Sequence, residues 1–181
     1  MRFIVIISIL VVTEVALNSC RKGVVLSEDQ KILFQYSYVN SALGKNNQGC
    51  IIDNEGNLLI YNQPEKWNFP DKNSVLTQAQ VAENLTYCTS TGIKVPQSEL
   101  ERYIRYIKNI ASSKVTARKS VAADKGTFNY YCFSYSGENF TYRQVTIKTQ
   151  GDFECENLNF FSKKVVDWMN QMIQELPIHH L

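Results

Sequence analysis

The sequence predicts an α+β fold with a mainly antiparallel sheet, and three observations carry that reading. Two stretches read as β-hairpins: Gly49 to Tyr61, turning at Asp53-Asn54-Glu55-Gly56-Asn57, and Phe128 to Ile147, turning at Gly137 and Asn139. Three stretches carry apolar residues at helical spacing, around Val81, Leu100 and Val165. The strand and helix patterns are segregated along the chain rather than alternating, which disfavours a parallel βαβ sheet. The expected architecture is two hairpins plus an extra strand, packed against about three helices.

The extra strand comes first. Ile32, Phe34, Tyr36 and Tyr38 alternate with mixed neighbours, as in a half-buried strand. A helix competes here, because Ser27 and Gln30 have capping-box spacing and Ile32, Tyr36 and Val39 have helical spacing. Aromatic and β-branched content favours the strand. In the first hairpin, Asp, Asn and Gly at the turn tolerate positive φ. Residues 62–76, with Pro64, Trp67, Phe69 and Pro70 among polar groups, form a long connection, and long connections in small domains are often functional. Trp67 is therefore a candidate contact residue. The competing and favoured role for it is a lid folded back on the core, since large aromatics carry much of a core's burial.

Thr77 and Gln80 have the spacing of a capping box ahead of Val81, Leu85 and Cys88. Pro96 suits the first turn of a second helix, in which Leu100, Tyr103, Ile104, Ile107 and Ala111 make one apolar stripe. Glu101 and Arg105 are spaced for an ion pair on that helix. Phe128, Tyr130, Cys132 and Ser134 alternate with Tyr131, Phe133 and Tyr135, and Phe140, Tyr142, Val145 and Ile147 return as a strand. Gly151-Asp152 is a further turn before Phe153 and Cys155. Val165, Trp168, Met169, Met172 and Leu176 mark a terminal amphipathic helix that Pro177 closes.

The N-terminus reads as an address. Phe3 to Val12 is an apolar core behind Arg2, and Thr13 and Glu14 end it well short of the roughly 20 residues that span a bilayer. A basic start, a short apolar core and the small Ser19 are the marks of a secretory signal. Leu17-Asn18-Ser19-Cys20 resembles the lipobox of bacterial lipoproteins. The resemblance implies cleavage before Cys20, a diacylglycerol on its thiol and an acylated new amino terminus. Thioether formation requires that sulfur, and each buried CH₂ of the acyl chains contributes roughly 0.8 kcal/mol to anchoring. Residues 1–19 are then a signal peptide, 20–30 a lipidated tether and 31–181 one α+β domain, held in the bacterial cell envelope at the outer membrane, on its periplasmic or surface face. An ordinary secretory signal is one alternative, under which Asn84-Leu85-Thr86 and Asn139-Phe140-Thr141 match glycosylation sequons, and a buried strand of a cytosolic protein is the other. The stretches Gly49 to Tyr61 and Val121 to Asn157 are also similar to small lipoproteins of the Bacteroidetes, a resemblance that supports location and implies no activity.

With Cys20 lipidated, Cys50, Cys88, Cys132 and Cys155 remain, and an even count in an exported domain reads as two disulfides. The sequence does not choose among the pairings. Cys132 with Cys155 is the favoured one, and four buried thiols are the other outcome. A net charge of +2 argues against a general nucleic-acid binder or membrane polycation. No CxxC pair occurs and the only histidines are His179 and His180, so no metal or other cofactor is expected. Those histidines follow Pro177 at the extreme C-terminus, which also removes the base that a Ser or Cys nucleophile needs. No catalytic residue is assigned. Acidic pairs remain, Asp53 with Glu55 and Asp152 with Glu154 and Glu156. Two carboxylates at the right separation serve glycoside hydrolysis, although turns are also where acids are commonly solvated.

Between positions 102 and 125 bases outnumber acids, and Arg102, Arg105 and Lys108 fall on one helical face opposite the apolar stripe. That face suits an acidic partner or anionic headgroups, or is simply solvated. The expected function is a monomeric, lipid-anchored, non-enzymatic binding module, with Trp67, Arg102, Arg105 and Lys108 as candidate partner contacts. One concrete form is an immunity-type inhibitor of an exported toxin, and Tyr-rich surfaces suit protein contacts. The alternatives are an envelope hydrolase using paired carboxylates and a purely structural surface protein.

Overall fold

A computed structural model describes residues 27–40, 42, 46–174 and 176. The signal segment, Cys20 and the two histidines lie outside the described residues. Among the described residues nine strands and three helices make an α+β fold in which every strand pairing is antiparallel. In chain order they are β1 (Ile32–Asn40), β2 (Asn46–Asp53), β3 (Asn57–Asn62), β4 (Val75–Thr77), α1 (Gln78–Thr86), β5 (Thr89–Lys94), α2 (Gln97–Ala111), β6 (Lys119–Ser120), β7 (Thr127–Ser136), β8 (Thr141–Gly151), β9 (Phe153–Glu156) and α3 (Ser162–Gln174). The strand order is β5-β3-β2-β1-β7-β8-β9-β6, with β4 also pairing β8.

Both predicted hairpins form, as β2–β3 and β7–β8. In the first turn Asp53 accepts hydrogen bonds from the backbone N–H groups of Glu55 and Asn57, and Gly56 adopts φ +85°. A Cβ there would meet the Val95 carbonyl at 2.8 Å, so glycine is required for both conformation and space. The extended reading of Ile32–Tyr38 holds, and β1 lies centrally between β2 and β7. Ser27 and Gln30 do not cap a helix. Gln30 is buried and donates its Nε2–H to the carbonyls of Ile32 and Phe133, so residues assigned to the tether already belong to the folded body. The chain thus enters the domain beside the β7–β8 hairpin.

The sheet buries both faces. On one, α2 and α3 cover Phe34, Tyr36, Cys50, Ile52, Tyr130 and Cys132. Trp168 is the centre of that layer, stacked on Tyr103 at 4.1 Å and edge-on to Phe34 at 5.2 Å. On the other, Ile51, Tyr61, Phe133 and Tyr142 pack against Leu76 of β4, Val81 of α1 and Trp67. The capping box of α1 is present in both directions, Thr77 to Gln80 and back.

Three short strands escaped the sequence reading. β4, β5 and β6 have three, six and two residues, too few to show a period. Together with β9 they flank the core strands. The outer edge of β8 is covered by β4 at Thr141–Arg143 and by β9 at Lys148–Thr149. Between them Gln144 N–H donates to Ser74 and Asn157 N–H to Ile147. Glu101 and Arg105 do not pair. Glu101 instead accepts from Gln97, and the one ion pair among the described residues joins Lys148 and Glu156 at 3.6 Å.

The expected disulfides are absent: Cys50, Cys88, Cys132 and Cys155 are free thiols. Register explains the favoured pair. Cys132 lies opposite Val145 on β8, whereas Cys155 lies opposite Thr149 on the far side of that strand. Four residues of strand rise and two strand spacings separate them, roughly 13 Å by roughly 10 Å, far beyond the reach of a disulfide. Burial pushes the thiols of Cys50, Cys88 and Cys132 up to about 12, so they are held protonated and unreactive.

Candidate functional site

The second sheet face is not filled by apolar side chains alone. In β1, Phe34, Tyr36 and Tyr38 point to the helical layer, so Gln35 and Ser37 are delivered to the opposite side. Both are buried. A buried carboxamide is tolerated only with partners, and Gln35 has two. Its Nε2–H donates to the Tyr61 hydroxyl at 2.8 Å, and its Oε1 accepts from Gln144 Nε2 at 3.1 Å. Tyr61 reaches this position because residue 49, opposite it in β2, is glycine. A Cβ on Gly49 would fall 2.6 Å from the Tyr61 hydroxyl and 2.1 Å from the Tyr36 carbonyl. Burial raises the Tyr61 hydroxyl well above its ordinary range, while the hydrogen bond from Gln35 opposes that shift, so it remains a neutral phenol.

Over this polar floor runs the long connection between β3 and β4. It has no regular structure, yet several of its backbone groups are hydrogen-bonded. Gln63 N–H donates to the Asn47 carbonyl. Asn68 and Asn84 exchange hydrogen bonds: Asn68 N–H to Asn84 Oδ1 at 2.8 Å, and Asn84 Nδ2–H to the Asn68 carbonyl at 2.9 Å. Asp71 caps its own turn through Asn73 and Val75. Trp67 lies flat on Tyr61 with ring centres 4.1 Å apart and 25° between planes. It is the lid that its size suggested.

The lid does not close fully. Beneath Trp67 to Pro70 remains a cavity of about 60 Å³ whose walls include Gln35, Ser37, Asn47, Asn68 and Gln144. It adjoins an open depression of about 730 Å³ formed by the same segment and the Val39 and Asn46–Asn47 ends of β1 and β2. Phe69, more than half exposed, stands at this mouth. Asn46 Oδ1 is buried there without a hydrogen-bond partner among the described residues. The mouth opens at the C-terminal end of β1, opposite the end at which the chain enters the domain.

The other expected site residues are elsewhere. Arg102, Arg105 and Lys108 are exposed on α2 and leave Leu100, Ile104 and Ile107 buried, as the stripe predicted. They lie on the layer that covers the opposite sheet face and do not join the cleft. The carboxylates do not converge. Asp53 is committed to its turn, and also accepts from Asn57 Nδ2 at 2.8 Å. Asp152 accepts from the N–H groups of Lys125 and Gly126 at 2.9 and 3.0 Å. Glu156 pairs with Lys148, and Glu154 is exposed. Among the described residues no three His, Cys, Asp or Glu side chains are grouped as metal ligands.

Trp67 was identified in the sequence, but Gln35, Ser37, Gly49, Tyr61, Asn84 and Gln144 were not. The available signal was a pair of amide and hydroxyl residues in the middle of an otherwise aromatic strand. Comparisons with protein-family models, with curated proteins and with solved structures find no match.

Proposed function

We propose that the protein is a lipid-anchored, non-enzymatic binding module of the bacterial cell envelope, acting through the cleft beneath Trp67. The observation that carries the binding role is that cleft: the buried Gln35 and Ser37 and the half-buried Asn47 and Gln144, set among apolar side chains, under a cover whose hydrogen bonds already hold it in place. A pre-ordered cover lowers the entropy cost of capturing a ligand. The lipobox-like Leu17 to Cys20 supports the anchor, and the seven residues from Cys20 to Ser27 would keep the domain within roughly 25 Å of the bilayer.

The carboxylates favour binding over hydrolysis, because Asp53, Asp152 and Glu156 are each engaged in turns or pairing. A second reading, the immunity-type inhibitor, is favoured by one observation. Arg102, Arg105 and Lys108 form an exposed cationic face with no ion pair among the described residues, which suits an acidic protein.

Two experiments test the proposal. Cys20→Ala should move the protein from the membrane to the soluble fraction, and globomycin should change its intact mass; an unchanged distribution and mass reject the anchor. Native extraction and capture with the wild-type protein and with Trp67→Ala separates the two surfaces. A ligand lost with Trp67→Ala belongs to the cleft, whereas one lost only with Arg102→Glu and Arg105→Glu belongs to α2.

A further inference from the structure

Taking the cleft as the binding site, as proposed above, we infer that its ligand is a neutral saccharide: one hydroxyl-bearing arm enters the inner cavity, and sugar rings occupy the outer depression against Phe69 and the exposed part of Trp67.

Charge gives the first argument. None of the side chains that wall the inner cavity is ionisable at neutral pH. An ionic group placed there would lose its hydration without meeting a counter-charge. At the outer mouth Glu65 and Glu83 stand with Lys66, so the rim has no strong bias of either sign.

The second argument is the type of polar group. Carboxamides and hydroxyls are donors and acceptors at once, and so is each hydroxyl of a sugar. Ser37 Oγ and Gln144 Oε1 have no hydrogen-bond partner among the described residues, and both residues wall the cavity. Gln35 is already fixed by Tyr61 and Gln144, so the floor is oriented before a ligand arrives. An apolar ligand would leave these groups unpaired, with the desolvation cost that entails.

Size and shape give the third. At the roughly 30 Å³ that a water takes in the liquid, the cavity of about 60 Å³ holds about two waters, enough for a hydroxymethyl arm but too small for a ring. The adjoining 730 Å³ depression falls in the ordinary range for small-molecule sites and takes one or two pyranose rings. Phe69 and Trp67 supply flat apolar surfaces of the kind on which the C–H face of a pyranose rests. Phe69 is 58 % exposed at this mouth, so most of its ring is open to a ligand.

The test is titration of the full chain, in a detergent without a sugar headgroup, with glucose, galactose, mannose, N-acetylglucosamine and their short neutral oligomers. The readout is the amide side-chain and indole resonances in ¹H–¹⁵N spectra. The expected result is saturable shifts of the Gln35, Gln144, Asn47 and Asn68 side chains and of the Trp67 indole, with the Trp168 indole unmoved as the internal control. Phe69→Ala, at a mostly exposed side chain, should weaken the affinity at least fivefold, and Gln144→Leu at least tenfold. Glucuronic acid and glucosamine should bind at least tenfold more weakly than their neutral counterparts. Absence of saturable shifts with every neutral sugar overturns the inference. If a short peptide or an acidic ligand shifts the same resonances instead, the saccharide assignment falls and the binding role of the cleft stands. If captured ligands shift only resonances on α2, both fall.

Discussion

Gly49 shows how much one residue can hold on the second face of the sheet. It is not a turn residue; it is glycine because a Cβ would strike the Tyr36 carbonyl of β1 and, beyond it, the Tyr61 ring. Gly49→Ala should force β1 and β2 apart at Tyr36 as well as displace the Tyr61 ring, breaking the Gln35–Tyr61 hydrogen bond and disturbing the Trp67 stack, at a cost of about 3 kcal/mol, read as a lower urea midpoint. Tyr61→Phe removes only the hydroxyl and should cost about 1 kcal/mol. The thiols make a pH prediction at the same scale. Cys50, Cys88 and Cys132 are pushed from 9.0 up to about 12 by burial. Above pH 9 the unfolded chain therefore releases thiol protons that the folded chain keeps. The stability this contributes is complete below pH 9 and is lost as pH rises towards 12, at up to about 1.4 kcal/mol per pH unit for each group. Urea midpoints measured at pH 8 and pH 10.5 should differ in that direction, and serine at Cys50 should flatten the slope. These residues also show where sequence reading stops. An even cysteine count in an exported chain suggested bridges, but pairing depends on the β8 register, which no spacing reveals.

At the scale of elements, the strong periodicities were legible and the short strands were not. α2 and the two long hairpins announced themselves because each presents a repeating face over ten residues or so. β4 and β6 form only because β8 and β9 offer them hydrogen-bonding partners, so their cause lies elsewhere in the chain. The cleft was half legible for the same reason. Trp67 is conspicuous in its loop, whereas Gln35 and Gln144 sit far apart in sequence and meet only across strands. The cover itself depends on Asn84, one buried residue of α1 that hydrogen-bonds both the backbone and the side chain of Asn68. Asn84→Leu should leave α1 helical but release residues 63–74, read as faster amide exchange there and new protease cleavage near Lys66. Asn157 has the corresponding role on the other side, donating to the Ile110 carbonyl at 3.0 Å and accepting from Ser162 at 3.1 Å. Asn157→Ala should therefore uncouple the end of α2 from the start of α3, at about 1–3 kcal/mol.

For the whole molecule, the treatment of the sheet's borders matters most for association. β8 has eleven residues and would be a template for pairing with another copy if its outer side were open. β4, Ser74, Asn157 and β9 take up that side instead. At the opposite border β5 is short, interrupted by Gly92 at φ +76° and ended by Lys94, features that discourage edge-to-edge contact. A chain beginning at Ser27, without the proposed lipid, should stay monodisperse by light scattering up to millimolar concentration. Weakening the β9 pairing through Cys155→Pro, at the residue opposite Thr149, should produce oligomers before it produces unfolded chain.

The direction of β1 has a final consequence. The strand begins where the polypeptide arrives from its N-terminal side and ends at the rim of the Asn46–Asn47 depression. At about 3.3 Å per residue, its nine residues span roughly 30 Å. Under the proposed attachment the strand works as a mast, with grease at its foot and the opening at its head. Cargo would then be met facing the surroundings, clear of the headgroups, and fatty chains would have no route to compete for the same hollow.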